Sequence, residues 1–216
     1  MIKSLLKYIV IGITLGVIAG ALTNNANAEE TVITYEKEVG KWTVWCGAHA
    51  GTKEFSFCAM SSSYELHPEV ARVMKTKQVT VSFTLYRDFA RVGFMGGWKA
   101  PDGMELDGWI KFDNSKYNGT FKYLAMDDPS KGGLVLSSTF DDIYDFMVQA
   151  MLGTYVEAEI GGKQTGKFPL NGSAVAGAHL LDVWAEKSGA TFGSGARIDK
   201  RDNYTFGKGK DRVDTF

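Results

Sequence analysis

The chain has 216 residues, 24 Lys and Arg against 25 Asp and Glu, a formal net charge of −1 and two cysteines. Charge this close to balance gives no general attraction to phosphate backbones and sets nucleic-acid binding aside. The length suits one ordinary domain with a substantial core.

Residues 1–28, MIKSLLKYIVIGITLGVIAGALTNNANA, place Lys3 and Lys7 ahead of an apolar run from Tyr8 to Leu22 and end on Ala26-Asn27-Ala28. That pattern is expected to be a secretory signal peptide. Its apolar part is short for a membrane span, which needs roughly 20 residues, so no stable span is expected after cleavage. The mature chain is then periplasmic or secreted. Residues 29–189 are read as a single β-rich domain. Residues 190–216, rich in glycine and charge with no period, are read as a mobile tail.

Alternating apolar and aromatic positions in TVITYEKEVGKWTVWC predict two strands separated by Gly40. Further strands are expected over Phe55–Met60, Gln78–Tyr86, Ala90–Gly96, Met104–Phe112 and Gly119–Met126, each short and rich in β-branched or aromatic residues. Pro101-Asp102-Gly103 reads as a turn, and Asn118-Gly119 as a hairpin.

The period then changes. In STFDDIYDFMVQAML, residues 138–152, Phe140, Ile143, Met147, Ala150 and Met151 fall on one helical face, with Thr139 as cap, Asp141 and Asp142 in the first turn, and Gly153 closing the end. TYVEAEI and TGKFPL flank Gly161-Gly162 as another hairpin, with Pro169 at a strand end or edge. NGSAVAGAHLLDVWAEKSG reads as a second helix capped by Ser173, with Ala176, Leu180, Val183 and Trp184 on one face and Gly189 as its stop. Many strands and two α-helices in the C-terminal half predict a mainly β fold: an antiparallel β-sandwich or partly closed barrel with the helices packed at an edge or end.

Cys46 and Cys58 each sit in a predicted strand, joined by a connection containing Gly47, Gly51 and Thr52. Neighbouring strands can bring two such cysteines within disulfide reach, and export makes oxidation the favoured outcome. An exchange-active pair would be expected as C-x-x-C, and zinc on Cys46, His49 and Cys58 would lack a fourth ligand and need reduced thiols. No metal or cofactor is therefore expected.

No catalytic constellation is read. His67 falls in a loop before Pro68 and His179 in the second helix, Ser61 to Ser63 form a polar strand end, and no G-x-S-x-G elbow occurs. Asp141, Asp142 and Asp145 suit a helix start, while Glu105 and Asp107 alternate toward a solvated face. Trp98, Trp109, Tyr117 and Tyr123, interleaved with Asp, Asn and Lys, are candidates for a stacking surface that takes a sugar ring or a protein partner. Phe112 and Phe121 are assigned to the core.

Two stretches carry a resemblance. KWTVWCG followed by FSFCAM, and YVEAEIGGKQTGKFPLNGSAVAGAHL near the end, resemble the invasion-associated locus B family, framing residues 35–187. The resemblance implies an exported β-rich protein of the periplasm or outer-membrane surface, linked in pathogenic bacteria to host-cell entry. It implies no catalytic residue, and carries over only Cys46 and Cys58 as a disulfide. The expected function is non-enzymatic binding of a protein or cell-envelope component. The alternative is a carbohydrate-binding or carbohydrate-active protein using the aromatic region from Trp98 to Tyr123, with Glu105, Asp107 or Asp113 as carboxylates if it is hydrolytic.

Overall fold

Alternating apolar residues dominate the strands of this chain, and their pairing sets the architecture. The structure, a computed structural model, describes residues 31–74, 76–96, 100–113, 115–124, 133–136 and 143–189. The expected signal peptide and tail, together with Trp98, Thr139, Phe140, Asp141 and Asp142, lie outside those residues. In chain order the elements are β1 (Thr31–Val39), β2 (Trp42–His49), β3 (Phe55–Glu65), α1 (Pro68–Met74), β4 (Gln78–Leu85), β5 (Ala90–Met95), β6 (Glu105–Phe112), β7 (Ser115–Leu124) and β8 (Gly133–Leu136). They continue with α2 (Ile143–Leu152), β9 (Tyr155–Ile160), β10 (Lys163–Pro169) and α3 (Ser173–Ser188).

The strands form one antiparallel ladder in the order β1-β2-β3-β4-β5-β8-β7-β6-β9-β10. Four-residue β8 joins the halves, pairing β5 on one side and β7 on the other. The ladder folds over there, so that β1 to β5 face β6, β7, β9 and β10 as two layers. Rings from the two layers meet between them: Phe83 against Phe112 at 5.9 Å, Phe94 against Phe121 at 6.5 Å and Phe94 against Phe168 at 5.8 Å. β1 and β10 end the ladder without closing it. The expected sandwich is therefore what forms, rather than a barrel.

The two C-terminal helices fill what the second layer leaves open. Phe146 of α2 packs edge-on against Phe83 and Phe112, and Met147, Ala150 and Met151 are buried beside it. α3 buries Ala176, Leu180, Val183 and Trp184, the face expected from its period. Gly177 permits the close helix contact, since a Cβ there would lie 2.3 Å from Met151 Cγ. Ser173 does not cap α3 as expected. Gly172, with φ of 84°, is the cap, and Ser173 Oγ donates to the Met151 carbonyl at 3.3 Å, tying the two helices together. Gly189 ends α3 in the left-handed conformation at φ 68°, as its position required.

Three local readings change. Asn118-Gly119 is not a turn but lies inside β7, with Gly119 opposite Gly108 and Asn118 opposite Trp109. The chain reverses instead at Asp113, which holds φ of 46°. Ser61 to Ser63 do not end their strand. β3 runs on to Glu65, with Ser61 and Ser62 buried. The loop expected at His67-Pro68 continues into α1, where proline stands at the first helical position and Glu69 in the first turn.

Candidate functional site

Residues directly opposite in an antiparallel ladder share a face, so the register fixes which side chains meet. Cys46 lies directly opposite Cys58, with Cα atoms 4.0 Å apart, and the two form a disulfide. Both are fully buried on the core side of β2 and β3. With each sulfur bonded to the other, neither is a thiolate that could ligate zinc, and full burial shields the bond from attack by an outside thiol. His49, the third residue of the zinc alternative, is the last residue of β2. Its carbonyl accepts from Lys53 N at 2.8 Å and its N–H donates to the Glu54 carbonyl at 3.0 Å, closing the connection to β3.

The predicted aromatic surface divides between the two faces of its hairpin. Tyr123 is 4% exposed and belongs to the core. Tyr117 also turns inward, its ring 6.2 Å from Phe112 and its hydroxyl donating to Asp145 Oδ2 at 3.3 Å. Phe112 and Phe121 are buried in the core as expected. Trp109 alternates with buried Ile110, points to the outer face and remains half-buried. Of the four candidates, Trp109 is therefore the one placed on the outer surface within the described residues.

The register surrounds Trp109 with polar groups. Asn118 of β7 and Glu159 of β9 lie directly opposite it on its two sides, and Gln164 of β10 lies opposite Glu159. Adjacent strands are about 4.8 Å apart, so this row of four side chains spans roughly 14 Å across the sheet. One row away, Lys116, Lys111, Glu157 and Lys167 stand opposite one another in turn. Lys111 Nζ reaches Glu157 Oε1 at 3.5 Å, and Lys116 Nζ sits 4.7 Å from the Trp109 ring centroid. On the other side Asp107 faces Thr120, and Glu105 faces Lys122. Sequence pattern alone found Trp109, Glu105 and Asp107. It missed Asn118, Glu159 and Gln164, whose common signal is ladder register.

The remaining titratable candidates serve structure. Asp113 accepts hydrogen bonds from Thr154 N at 2.9 Å, Thr154 Oγ1 at 2.6 Å and Tyr155 N at 3.3 Å, and these bonds lower its carboxyl pKa. It fixes the β6–β7 turn to the start of β9. His179 of α3 accepts or donates a hydrogen bond with the Tyr35 hydroxyl of β1. Burial, and secondarily Glu186, raise the Tyr35 pKa.

A cleft of about 460 Å³ opens between β3 and β10, lined by Lys41, Ser62, Tyr64, His67, Thr165 and Phe168. The Tyr64 hydroxyl donates to the Pro169 carbonyl at 2.8 Å, and its ring lies 5.5 Å from Phe168. Thr165 Oγ1 spans the Ala158 N–H and carbonyl, each at 3.2 Å, where β10 bulges beside Gly166. Proline, a bulge and flanking lysines are the features that keep an edge strand from pairing with another chain.

No known protein family's sequence profile matches this chain, and no curated protein matches it. A solved structure, that of invasion associated protein B from Bartonella henselae, is similar at 13% identity with a TM-score of 0.45, over 69% of this chain and 98% of that chain. That likeness bears on neither ligand nor activity.

Proposed function

We propose that the chain is an exported, non-catalytic β-sandwich of the bacterial periplasm or cell surface that binds a protein or a cell-envelope component. The observation that carries the reading is the disulfide Cys46–Cys58, a bond that persists in oxidising compartments and is rare in the cytosol. The lysine-led apolar segment of residues 1–28 supports the same address. Binding is the role read for the outer face of β6, β7, β9 and β10, where Trp109 lies between Asn118 and Glu159. A second reading, that the ligand is a carbohydrate, is favoured by the half-buried Trp109 on an outer face between Asn118 and Glu159.

The test has two parts. Mass spectrometry of non-reduced periplasmic material should give a chain beginning at Glu29 and lighter than its reduced form by two hydrogens. Free thiols there, or an uncleaved leader in the cytosol, would remove the basis for export. Immobilised mature chain should retain a component of solubilised envelope or host-cell surface, and a version ending at Gly189 should retain it too. Capture that depends wholly on residues 190–216 would move the function off the sandwich.

A further inference from the structure

Three surfaces compete for a ligand. The cleft beside β10 has its hydroxyls engaged, with Tyr64 on the Pro169 carbonyl and Thr165 on Ala158. The outer cluster around Trp45 and Phe57 is fully buried. The outer face around Trp109 is different, since a flat indole stands half-buried in mid-sheet between groups that both donate and accept hydrogen bonds.

From this arrangement we infer that the row Asn118-Trp109-Glu159-Gln164 is a binding subsite for a neutral carbohydrate chain, the indole stacking on a sugar ring. The inference rests on the binding role proposed above and names its site and ligand class. Three features select that ligand. First, the amides of Asn118 and Gln164 each offer donors and an acceptor, and the Glu159 carboxylate accepts, which matches hydroxyls that do both. Second, an indole presents a broad apolar face with little conformational entropy to lose, suited to the C–H face of a sugar ring. Third, the face is charge-balanced. The lysines at 111, 116, 122 and 167 are offset by Glu105, Asp107, Glu157 and Glu159, so neither a polyanion nor an anionic bilayer is drawn to it.

Lys116 supplies the discriminating detail. Its ammonium lies over the ring that a sugar would stack on, 4.7 Å from the centroid. A neutral sugar has to displace it, whereas an acidic ligand would use it. Trimming Lys116 therefore separates the two ligand classes.

The experiment titrates the full mature chain, by calorimetry, with neutral hexasaccharides of glucose, xylose and N-acetylglucosamine, alongside a uronic-acid hexamer. The expected result is binding of at least one neutral hexamer with little dependence on salt, weakened tenfold or more by Trp109→Ala and severalfold by Asn118→Ala and Glu159→Ala. Lys116→Ala should leave that binding intact or strengthen it. Exposed Asn118 supplies a variant whose folding is not in question, and thermal melting checks the others. Binding to none of the hexamers, or binding untouched by both Trp109→Ala and Asn118→Ala, overturns the inference. Preference for the uronic-acid hexamer, lost in Lys116→Ala, overturns the neutral class. Envelope capture that survives Trp109→Ala would leave the proposed function standing while this subsite fails, and loss of capture by the unaltered chain would remove both.

Discussion

The two outer faces of the sandwich use the same residue type to opposite ends. On the first layer, Trp45 of β2 points away from the disulfide side yet is completely buried, edge-on to Phe57 at 4.9 Å and clustered with Ala59 and Met95. Tyr86 and Phe89 stack at 4.3 Å beside it, with the Arg91 guanidinium over both rings, and burial pushes the Tyr86 hydroxyl pKa up to about 12. On the second layer, Trp109 is ringed by lysines, carboxylates and amides and remains half-buried. β2 is thus an apolar strand buried on both faces, while β6 is buried on one. A tryptophan that seals a layer and one that offers a surface differ both in their own strands, WTVWCGAH against ELDGWIKF, and in the side chains packed beside them.

The largest test of that contrast is substitution of the two tryptophans in parallel. Trp45→Ala should cost about 3–5 kcal/mol, the range for emptying a buried aromatic site, while Trp109→Ala should cost about 1 kcal/mol or less, as for surface positions. Denaturant midpoints at constant slope measure both, and equal losses would erase the distinction.

Next in size is the staple. Replacing Cys46 and Cys58 together by alanine should lower stability by about 3 kcal/mol, as expected when a short loop loses its cross-link. Reductant should destabilise the unaltered chain and leave the double variant unchanged. A loss confined to the unaltered chain's first layer, seen as faster amide exchange in β2 and β3, would sharpen the comparison further.

A smaller effect belongs to Asp113. Its folded carboxyl pKa is lowered by hydrogen bonds from Thr154 and Tyr155, so the stabilisation is fully present above the unfolded value and is lost as pH falls through the folded one. Asp113→Asn keeps a residue that tolerates the positive φ but removes the charge. The difference in melting temperature between the two proteins should be largest near neutral pH and shrink as pH falls below 4. A gap that grows on acidification would contradict the assignment. Smallest of all, Lys111→Ala should cost at most about 1 kcal/mol, because its bridge to Glu157 is at the surface.

Much of this architecture was legible in the chain because its signals are local. Alternation marked most of the strands, Gly40 and Gly161-Gly162 marked two of their turns, and the 3.6-residue period marked both C-terminal helices. The failures share a cause. Asn118-Gly119 has the composition of a turn, but pairing across from Gly108 and Trp109 holds it inside β7. Adding a Cβ at Gly108 would bring it 2.1 Å from the Glu159 carbonyl oxygen, so close backbone approach rather than a turn is what glycine serves on this hairpin. β8, only four residues long, has too short a pattern to stand out. The candidate site was half visible. Trp109 and its acidic neighbours on β6 could be named, whereas Asn118, Glu159 and Gln164 come from three other strands that only the folded ladder aligns.

The central claim is that the working surface is the outer face of β6, β7, β9 and β10. Hydroxyl-radical footprinting of the oxidised mature chain, with and without solubilised cell-envelope polysaccharide, tests it most directly. The account predicts protection concentrated at Trp109 and its row partners Asn118, Glu159 and Gln164, with Trp45 and Phe57 unreactive in both states. Protection that spares Trp109 and falls on the β1–β5 layer, or no protection anywhere, would contradict it.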